Sequence, residues 1–517
     1  MPIRRRCWPN RPLSPGQAAR DNAPVSLVGI DIGSSAVKAA AYRAEGGLLA
    51  QASENMPSLH PSPGAAEISA EDVWSGVVKV LRQVAADDRV RRDPPVALAV
   101  SASGREGFPA RADGSPLGRC LRTADARRPV TDLATALKQP AGQWIRNCGH
   151  VPDHMDPTNR ILWWNEQSPA TMSRARWFLG WHEQASLHMV GRPTIDPALA
   201  SGFGIFDLAT NSWSAERVSA VGIDQRILPD VVAWATPLGR IRPTAAAELG
   251  LPSRCTFVTG SWDGSCAAVG AGVVDEGGAL VAAGTWESVV APLRRPRLRQ
   301  VAARRLALTA QPSTPERALW ARSPNGTSVL DWVLDLTGIR LAQLEPGLES
   351  AGPDPSPVVL VPHLSGAPGP WPEVPSATGS ALGLTLATSG IDVVRAGLEG
   401  IAIELTLAIG ALRAAGCPIR TCTVAGGGAK SPWWMQLKAD LLGIPVQVAA
   451  VPEPGTLGAA FLAGVGVGIY RTLGEAGALA RIARRFEPDE GRRARYEGKL
   501  TDHRNWAQAL LPIGRDL

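Results

Sequence analysis

One carboxylate near the middle of the chain is placed where it could do chemistry. Asp263 lies in VTGSWDGSCAAVGAG, residues 258–272, between an apolar segment and a run of small residues. We expect 256–259 to form a buried strand that Gly260 ends, and a helix to begin at Ser265. A side chain at such a turn faces the ligand crevice of an open α/β sheet. There an aspartate with its usual pKa of about 4 can take a proton from a substrate hydroxyl. The alternative role is a helix N-cap.

A second carboxylate, Asp31, lies at the end of the first apolar strand, which we predict over 25–30. A Gly-Ser-Ser turn at 33–35 and a second strand at 39–43 complete a predicted β-hairpin. Such a turn can present backbone N–H groups and hydroxyls to phosphate oxygens, and Asp31 could hold Mg²⁺ directly or through water. An ordinary tight turn is the alternative. The Gly-Lys-Ser/Thr ending of a P-loop is missing.

Arginine and glutamate stand side by side after a third predicted strand, 95–100. Arg105 could donate to a polyol and Glu106 could accept from it, although a surface ion pair is equally consistent with the segment. Residues 120–127 form a further polar strand end, which includes Asp125.

Glycine-rich turns recur in the second half of the chain. Residues 279–291 are typical of a strand, a Gly-Thr turn and another strand, which echoes the first hairpin and suggests two related halves. Glycines 426–428 follow a strand predicted at 421–425 and would let the backbone lie flat against a ligand. Ser431 is a suitable N-cap for the helix that follows, and Pro432 suits its first position.

Local signals predict several elements around these turns. Ser69 and Asp72 form a capping pair for a helix that runs to about residue 85, and Ser389 begins a capping box for a helix over 393–414. We expect continuous helical structure over 161–181 and a linker with a short helix over 236–250.

Composition limits the class of protein. The chain has 517 residues, enough for two or more domains, and a net charge of +6 from scattered arginines, so we expect no nucleic-acid partner. None of the seven cysteines forms a C-x-x-C pair, so we expect free thiols in a reducing compartment. No apolar run is long enough to span a membrane. Residues 1–24 lack the apolar region of a secretory signal and indicate a flexible extension, so we expect a cytoplasmic protein.

Four motifs taken together resemble the FGGY carbohydrate kinases. They are GIDIGSSAVK at 29–38, VTGSWDGSCAAVGAG at 258–272, GTWE at 284–287, and AGGGAKSPWWMQLKADLLGIPV with EPGTLGAAFLAG at 425–464. The resemblance covers about residues 25–510. It implies an α/β fold of the ribonuclease H/actin-like type, in which two related domains flank a central cleft. The expected organisation is an extension at 1–24, an N-terminal domain at 25–254 and a C-terminal domain at 255–517.

The resemblance also implies roles for individual residues. Those for catalysis and nucleotide binding are the base Asp263, the Mg²⁺-linked Asp31, the first phosphate loop with Gly33, Ser34, Ser35 and Lys38, the second phosphate loop with Gly284 and Thr285, and the adenosine site with Gly427, Gly428 and Ser431. Arg105, Glu106, Asp125 and Asp263 are the expected substrate-binding residues. Thr123 replaces the Trp of the family's W-x-D-x-R motif, and Gly104 stands where Gln is common, so the substrate stays open.

The expected activity is ATP-dependent phosphorylation of a hydroxyl of a small ketose or polyol, with ATP and Mg²⁺ as cofactors. The Arg-Glu-Gly segment at 105–107 is similar to that of glycerol kinases and autoinducer-2 kinases. A kinase of linear dihydroxypentanedione and a non-catalytic nucleotide-binding relative are therefore the alternatives. Such relatives often form homodimers, so a homodimer is a further possibility.

Overall fold

The computed structural model describes residues 25–367 and 377–511, so the extension predicted at 1–24 lies outside the described residues. Short and long strands alternate with helices along the described chain. The strands are β1 Ser26–Ile32, β2 Ala36–Arg43, β3 Leu48–Asn55, β4 Glu67–Ile68, β5 Pro95–Ala102, β6 Phe108–Ala110, β7 Cys120–Leu121, β8 Trp177–Leu179, β9 Thr194–Ile195, β10 Phe206–Asp207, β11 Ser212–Trp213, β12 Asp230–Val231, β13 Pro237–Arg240, β14 Thr256–Trp262, β15 Gly278–Ala283, β16 Glu287–Pro292, β17 Ala307–Ala310, β18 Arg317–Ser323, β19 Val359–Val361, β20 Ser380–Leu382, β21 Thr421–Ala425, β22 Val446–Ala449 and β23 Ile482–Phe486.

The helices vary from one turn to seven turns in length. They are α1 Ala70–Ala86, α2 Asp88–Arg92, α3 Leu133–Leu137, α4 Ala141–Asn147, α5 Pro157–Gln167, α6 Pro169–Met172, α7 Trp181–Val190, α8 Pro197–Ser201, α9 Ala215–Ala220, α10 Pro243–Leu249, α11 Asp263–Gly270, α12 Leu298–Ala303, α13 Thr327–Thr337, α14 Leu341–Ser350, α15 Gly390–Ala414, α16 Pro432–Leu442, α17 Pro454–Gly466, α18 Leu473–Gly477 and α19 Glu490–Leu510. The predicted N-caps Ser69, Ser389 and Ser431 each cap their helix through the side-chain oxygen.

Two mixed sheets form the centre of the molecule. The first has six strands in the order β13-β14-β5-β1-β2-β3, and the second has seven in the order β17-β18-β16-β15-β21-β22-β23. In each sheet an antiparallel hairpin continues into two further parallel strands. In the first sheet β1 is antiparallel to β2 and parallel to β5, which is parallel to β14. In the second sheet β15 is antiparallel to β16 and parallel to β21, which is parallel to β22. This shared pattern confirms the prediction of two related halves with an α/β fold.

Two helices of equivalent position hold the halves together. The helix α11 follows the last parallel strand of the first sheet, α17 follows that of the second, and the two pack against each other. Glycine makes this contact possible: a Cβ on Gly270 would lie 1.9 Å from the Pro454 carbonyl oxygen, and one on Gly458 would lie 1.8 Å from that of Cys266. The helix α17 also packs on β1, β5 and β14, so it belongs to the core of the first sheet.

The first sheet extends past the predicted domain boundary at 254/255. The strand β14 begins at Thr256 and pairs with both β5 and β13, so the boundary falls inside this sheet. The segment 236–250 is likewise more than a linker, because β13 forms the sheet edge. Gly260 does not end β14, which continues to Trp262. Glycine is required at position 260 because β14 and β5 approach closely there: a Cβ would lie 1.8 Å from the Val100 carbonyl oxygen.

The prediction of continuous helical structure over 161–181 was wrong. The chain instead forms α5, α6 and β8 before α7 begins at Trp181. Proline begins α6, and β8 pairs with β6, which holds 177–179 extended.

The six cysteines of the described residues are free and buried, whereas Cys7 lies outside those residues. In the part of the chain that the structure describes, no helix combines the length and hydropathy needed to cross a bilayer.

Candidate active site

A cavity of about 610 Å³ lies between the two sheets. Ser34 and Lys38 line it from the first hairpin, and Gly284 and Thr285 line it from the second. Asp263 lines the same cavity from the junction of β14 and α11. The structure therefore brings the predicted base and parts of both predicted phosphate loops to one cleft.

Asp263 is the first residue of α11 rather than its N-cap. Trp262 occupies the cap position and its side chain makes no capping hydrogen bond, while the Asp263 carboxylate accepts from the neighbouring Gly264 N–H at 2.6 Å. Burial, reinforced by the negative charge of Asp31, raises the pKa of Asp263 to about 7. The sequence-based expectation of an ordinary aspartate pKa did not include this burial, which favours the protonated form.

Asp31 faces the beginning of α17. Its carboxylate accepts a hydrogen bond from the Ser101 hydroxyl, and a Cβ on Gly455 would lie 3.1 Å from its Oδ1 atom. Burial raises the pKa of Asp31, and the Ser101 hydrogen bond partly offsets this. Lys38, directly opposite on β2, donates to Glu453 at 2.7 Å, so the predicted nucleotide ligand Lys38 is already ion-paired.

The carboxylates near the first hairpin are suitable ligands for a magnesium ion. Mg²⁺ is usually bound by one or two carboxylates together with substrate phosphates and water. Asp31 and Asp263 are two such carboxylates. The negative charge of Asp31 disfavours ionisation of Asp263, and a bound cation would relieve this repulsion. Among the described residues there is no group of three or more His, Cys, Asp or Glu that could hold a metal.

The second hairpin turn is supported from behind. The Thr285 carbonyl oxygen accepts from the Gly326 N–H at 3.1 Å and from the Ser328 hydroxyl at 3.0 Å. A Cβ on Gly326 would lie 2.4 Å from the Gly284 carbonyl oxygen, so only glycine permits this close support. Thr285 itself stays exposed to the cleft.

The predicted adenosine-site residues lie at the end of β21, outside the set that lines the cavity. Gly427 is exposed, with no atom within 4 Å of the position that a Cβ would occupy. Gly428 is buried against Trp434 and Ala283, and the Ser431 hydroxyl accepts from the Trp434 N–H at 3.1 Å. Gly427 therefore offers open backbone to a ligand, while Ser431 is occupied as a helix cap.

Arg105 lines the cleft, but Glu106 does not. The Glu106 carboxylate is 3% exposed and accepts from Ser103 at 2.9 Å, from the Trp181 indole, and more weakly from the backbone and hydroxyl of Thr123. Its Oε2 atom is therefore occupied, while Oε1 has only these weak contacts and lies 3.5 Å from the Nε atom of the buried Arg122. Glu106 thus forms a buried ion pair instead of a surface one.

Asp125 is also fully buried and outside the set of cleft-lining residues. It accepts from the Ala66 N–H at 2.8 Å and forms ion pairs with Arg127 and Arg160. The structure thus gives Asp125 a role in organising the wall behind Thr123, which is itself a lining residue.

Three indoles form the aromatic wall of the cleft. Trp262 and Trp320 meet edge to face with ring centres 5.1 Å apart, and Trp286 lines the cleft beside the second hairpin turn. These three rings give the cleft an aromatic surface.

Sequence reasoning missed an ionic cluster at the cleft. Arg322 Nη2 donates to Asp153 at 2.7 Å, and Arg105 pairs with both Asp153 and the fully buried Asp156. His150 also contacts Asp156. Burial lowers the pKa of His150 to about 3, so its imidazole is neutral at pH 7. Only Arg105 of this cluster was among the predicted residues, because its partners come from segments far apart in the chain.

Two mixed sheets with a shared strand pattern and a cleft between them define a two-domain α/β protein of the ribonuclease H/actin-like fold. Comparison with known families is more specific. The model "FGGY family of carbohydrate kinases, N-terminal domain" matches residues 26–270, and the C-terminal domain model of the same family matches residues 279–467. The chain therefore belongs to the FGGY family of carbohydrate kinases, a family of phosphotransferases that use ATP with Mg²⁺.

Individual relatives agree with this placement. Glycerol kinases of Acidovorax ebreus (strain TPSY) and Citrifermentans bemidjiense are each 28% identical to the chain, over 94% of it and 99% of the relative. Gluconate kinase from Lactobacillus acidophilus matches with a TM-score of 0.84 at 22% identity, covering 94% of this chain and 98% of the other. Xylulose kinase from Rhodospirillum rubrum also matches at 0.84 and 22%, covering 95% and 99%. These structures support the fold.

Proposed function

We propose that the protein transfers the γ-phosphoryl group of ATP to a hydroxyl of a small ketose, polyol or related sugar, with Asp263 as general base. The observation that carries this proposal is the position of Asp263 in the cleft that both hairpin turns also line. A base placed in hydrogen-bond reach of a reacting hydroxyl typically contributes about 10²–10⁴-fold to the rate.

The proposed step balances in atoms and electrons. The acceptor oxygen forms a bond to the γ-phosphorus while the bond from that phosphorus to the β,γ-bridging oxygen breaks and its electron pair leaves on ADP. The hydroxyl proton passes to the ionised carboxylate of Asp263. Its raised pKa makes this carboxylate a stronger proton acceptor than an exposed aspartate, and the same shift lowers its ionised fraction at neutral pH.

The remaining predicted residues would position the nucleotide. Backbone N–H groups and hydroxyls of Ser34, Ser35 and Thr285 would donate to phosphate oxygens. Gly33 and Gly284 would shape the two turns, because their own N–H groups donate to the Ala36 and Trp286 carbonyls. Asp31 would hold Mg²⁺, which neutralises the charge of the triphosphate when bound. Gly427 would give adenosine an open backbone surface, while the buried Gly428 and the helix cap Ser431 would fix the turn and the start of α16 beneath it.

A direct test is ADP release by the purified protein with Mg-ATP, before and after an acceptor is added. We expect a rate that rises with acceptor and is lost with a chelator. Binding of ATP without acceptor-dependent ADP release would favour the non-catalytic relative. Linear dihydroxypentanedione belongs in the same panel of acceptors. A much higher kcat/KM for this compound than for the sugars would favour the autoinducer-2 kinase. Cytoplasmic location and a homodimer stay predictions of the sequence.

A further inference from the structure

The side chains that line the cleft are rich in hydrogen-bond donors. Among the described residues that line it are four cations, Lys38, Arg105, Arg122 and Arg322, and one carboxylate, Asp263. None of the lining residues that the structure describes is a glutamate, asparagine or glutamine. A hydroxyl both donates and accepts, so a site built for a neutral polyol supplies acceptors as well as donors. Eight serine and threonine hydroxyls in the lining can accept as well as donate, and Arg122 is buried and ion-paired with Glu106. The cations that remain to be explained are therefore Lys38, Arg105 and Arg322.

The triphosphate accounts for only part of this donor set. Lys38 stands on the first hairpin near Asp31 and Glu453, where the nucleotide phosphates are expected. Arg105 and Arg322 flank a different feature, the Trp320 ring, with guanidinium carbons 5.9 and 5.5 Å from its centre. They therefore need a separate explanation.

The aromatic wall connects this arginine pair to the base. Trp262 immediately precedes Asp263 in the chain, and its ring meets that of Trp320 at 5.1 Å. An acceptor with a hydroxyl at Asp263 that follows the two indoles would extend towards the guanidinium groups. The arrangement thus suits a molecule with a reacting hydroxyl at one end and an anionic group at the other.

Both guanidinium groups keep donors for such a group. Arg105 uses Nη1 for Asp153 and Asp156, and Arg322 uses Nη2 for Asp153 and makes a long Nη1 contact of 3.8 Å to the Met155 sulfur. A guanidinium has five N–H donors in a planar fork that matches a carboxylate. Burial alone would raise the pKa of Asp153, but Arg105 and Arg322 outweigh it and hold the pKa below its usual range.

The charges within the cluster balance, so an anion would bind there through directed hydrogen bonds and a doubly charged one would meet more repulsion. Two cations, Arg105 and Arg322, already face two carboxylates, Asp153 and Asp156, while His150 is neutral. The cluster therefore offers directed donors without a large excess of positive charge. A carboxylate suits these donors better than a phosphate ester, which carries about −1.5 to −2 charges at neutral pH.

We propose that the acceptor is a sugar acid whose carboxylate binds Arg105 and Arg322 while the hydroxyl to be phosphorylated lies at Asp263. This proposal rests on the kinase function above and narrows its substrate class. Arg105 comes from the first half of the chain and Arg322 from β18 in the second, so the acid group would bind both halves at once.

The test compares matched acceptors that differ only in the acid group. Aldonates and alditols of four, five and six carbons are assayed by ADP release, with the phosphate ester of each alditol as a third arm. Charge-assisted hydrogen bonds contribute about 1.5–3 kcal/mol, so we expect kcat/KM for at least one aldonate to exceed that of its alditol by roughly tenfold or more. Alditols that match or exceed their aldonates at every length overturn the proposal, and so does a preference for the phosphate esters.

These outcomes are separable from failure of the kinase function. Phosphorylation of neutral sugars alone would leave that function intact and remove only the sugar-acid proposal. Failure of every acceptor to raise ADP release would count against both.

Variants of one strand give a second test. We expect Arg322→Gln to reduce the ratio of aldonate to alditol kcat/KM towards one, mainly through KM for the acid, and Arg322→Lys to retain part of the preference. Arg317→Gln is the matched control, because Arg317 lies on the same strand, donates to the Leu208 carbonyl and does not line the cleft. A full acid preference in folded Arg322→Gln protein overturns the proposal.

Discussion

Arg322 donates to the Asp153 carboxylate at 2.7 Å, and this ion pair joins the second sheet to the segment before α5 across the rim of the cleft. Two further contacts lie nearby: the Leu308 N–H donates to the Gly149 carbonyl at 2.8 Å, and the hydroxyls of Ser201 and Thr309 are 2.9 Å apart. The halves are thus in contact beside the arginine pair that lines the cleft. Such closure limits access of water to the reacting phosphate.

The pKa of Asp263 predicts the pH dependence of turnover. Burial and the charge of Asp31 raise this pKa to about 7, and the base works only when ionised. We expect kcat/KM to fall by about tenfold per pH unit below the pKa of Asp263 and to level off above it, with bound Mg²⁺ moving that pKa down from about 7. Steady-state rates across about pH 4–9 measure this, and a rate that increases as the pH falls through that range would contradict a base at Asp263.

A buried ion pair stabilises the second hairpin. Lys438 is fully buried and pairs with Glu287, the residue that follows the Gly284-Thr285-Trp286 turn. Lys438→Met leaves Glu287 as a buried unpaired charge, so we expect the free energy of unfolding to fall by about 3–5 kcal/mol in denaturant titrations.

Two controls accompany this measurement. The exposed pair of Arg471 and Glu475 provides the first, since Arg471→Gln should change the free energy of unfolding by less than about 1 kcal/mol. In the double variant Glu287→Gln with Lys438→Met the loss should be smaller than in Lys438→Met alone. Equal small losses from Lys438→Met and Arg471→Gln would contradict the assigned role of the buried pair.

Close packing of α17 on the first sheet predicts the effect of an added methyl group. A Cβ on Gly29 would lie 1.7 Å from the Thr456 carbonyl oxygen, so Gly29→Ala must displace the helix that faces Asp31. We expect a loss of about 1–3 kcal/mol in the free energy of unfolding, measured by denaturant titration.

Gly410→Ala is the matched control for Gly29→Ala. Gly410 is exposed within α15 and has no atom within 4 Å of the added Cβ. We therefore expect Gly410→Ala to increase the free energy of unfolding by about 0.5–1 kcal/mol. If Gly29→Ala did not lower the free energy of unfolding relative to Gly410→Ala, that result would contradict the close approach of α17 to β1.

Features encoded within a few residues could be predicted from the sequence. The hairpin turn at 33–35 and the caps Ser69, Ser389 and Ser431 depend on local backbone geometry and one side chain each. The repeated Gly-containing turns also revealed the two related halves, because each hairpin carries its own signal.

Features that depend on distant partners could not. Gly260 has the signature of a strand end, yet it lies inside β14 because Val100 of the neighbouring strand approaches too closely for a side chain. The sequence around Glu106 indicates a polar strand end, but the indole of Trp181, 75 residues later, donates a hydrogen bond to its carboxylate. Arg322 and Asp153 are separated by 169 residues, so neither carries a local sign of the other.

The substitution Asp263→Asn tests the central claim most directly. Asparagine keeps the size of the side chain and removes its ability to take a proton, so we expect ATP affinity to stay within about threefold while acceptor-dependent ADP release falls by about 10²–10⁴-fold. Nucleotide titration and ADP release on the same preparation measure both quantities. An Asp263→Asn protein that turns over at a near-normal rate would contradict the assignment of Asp263 as the base.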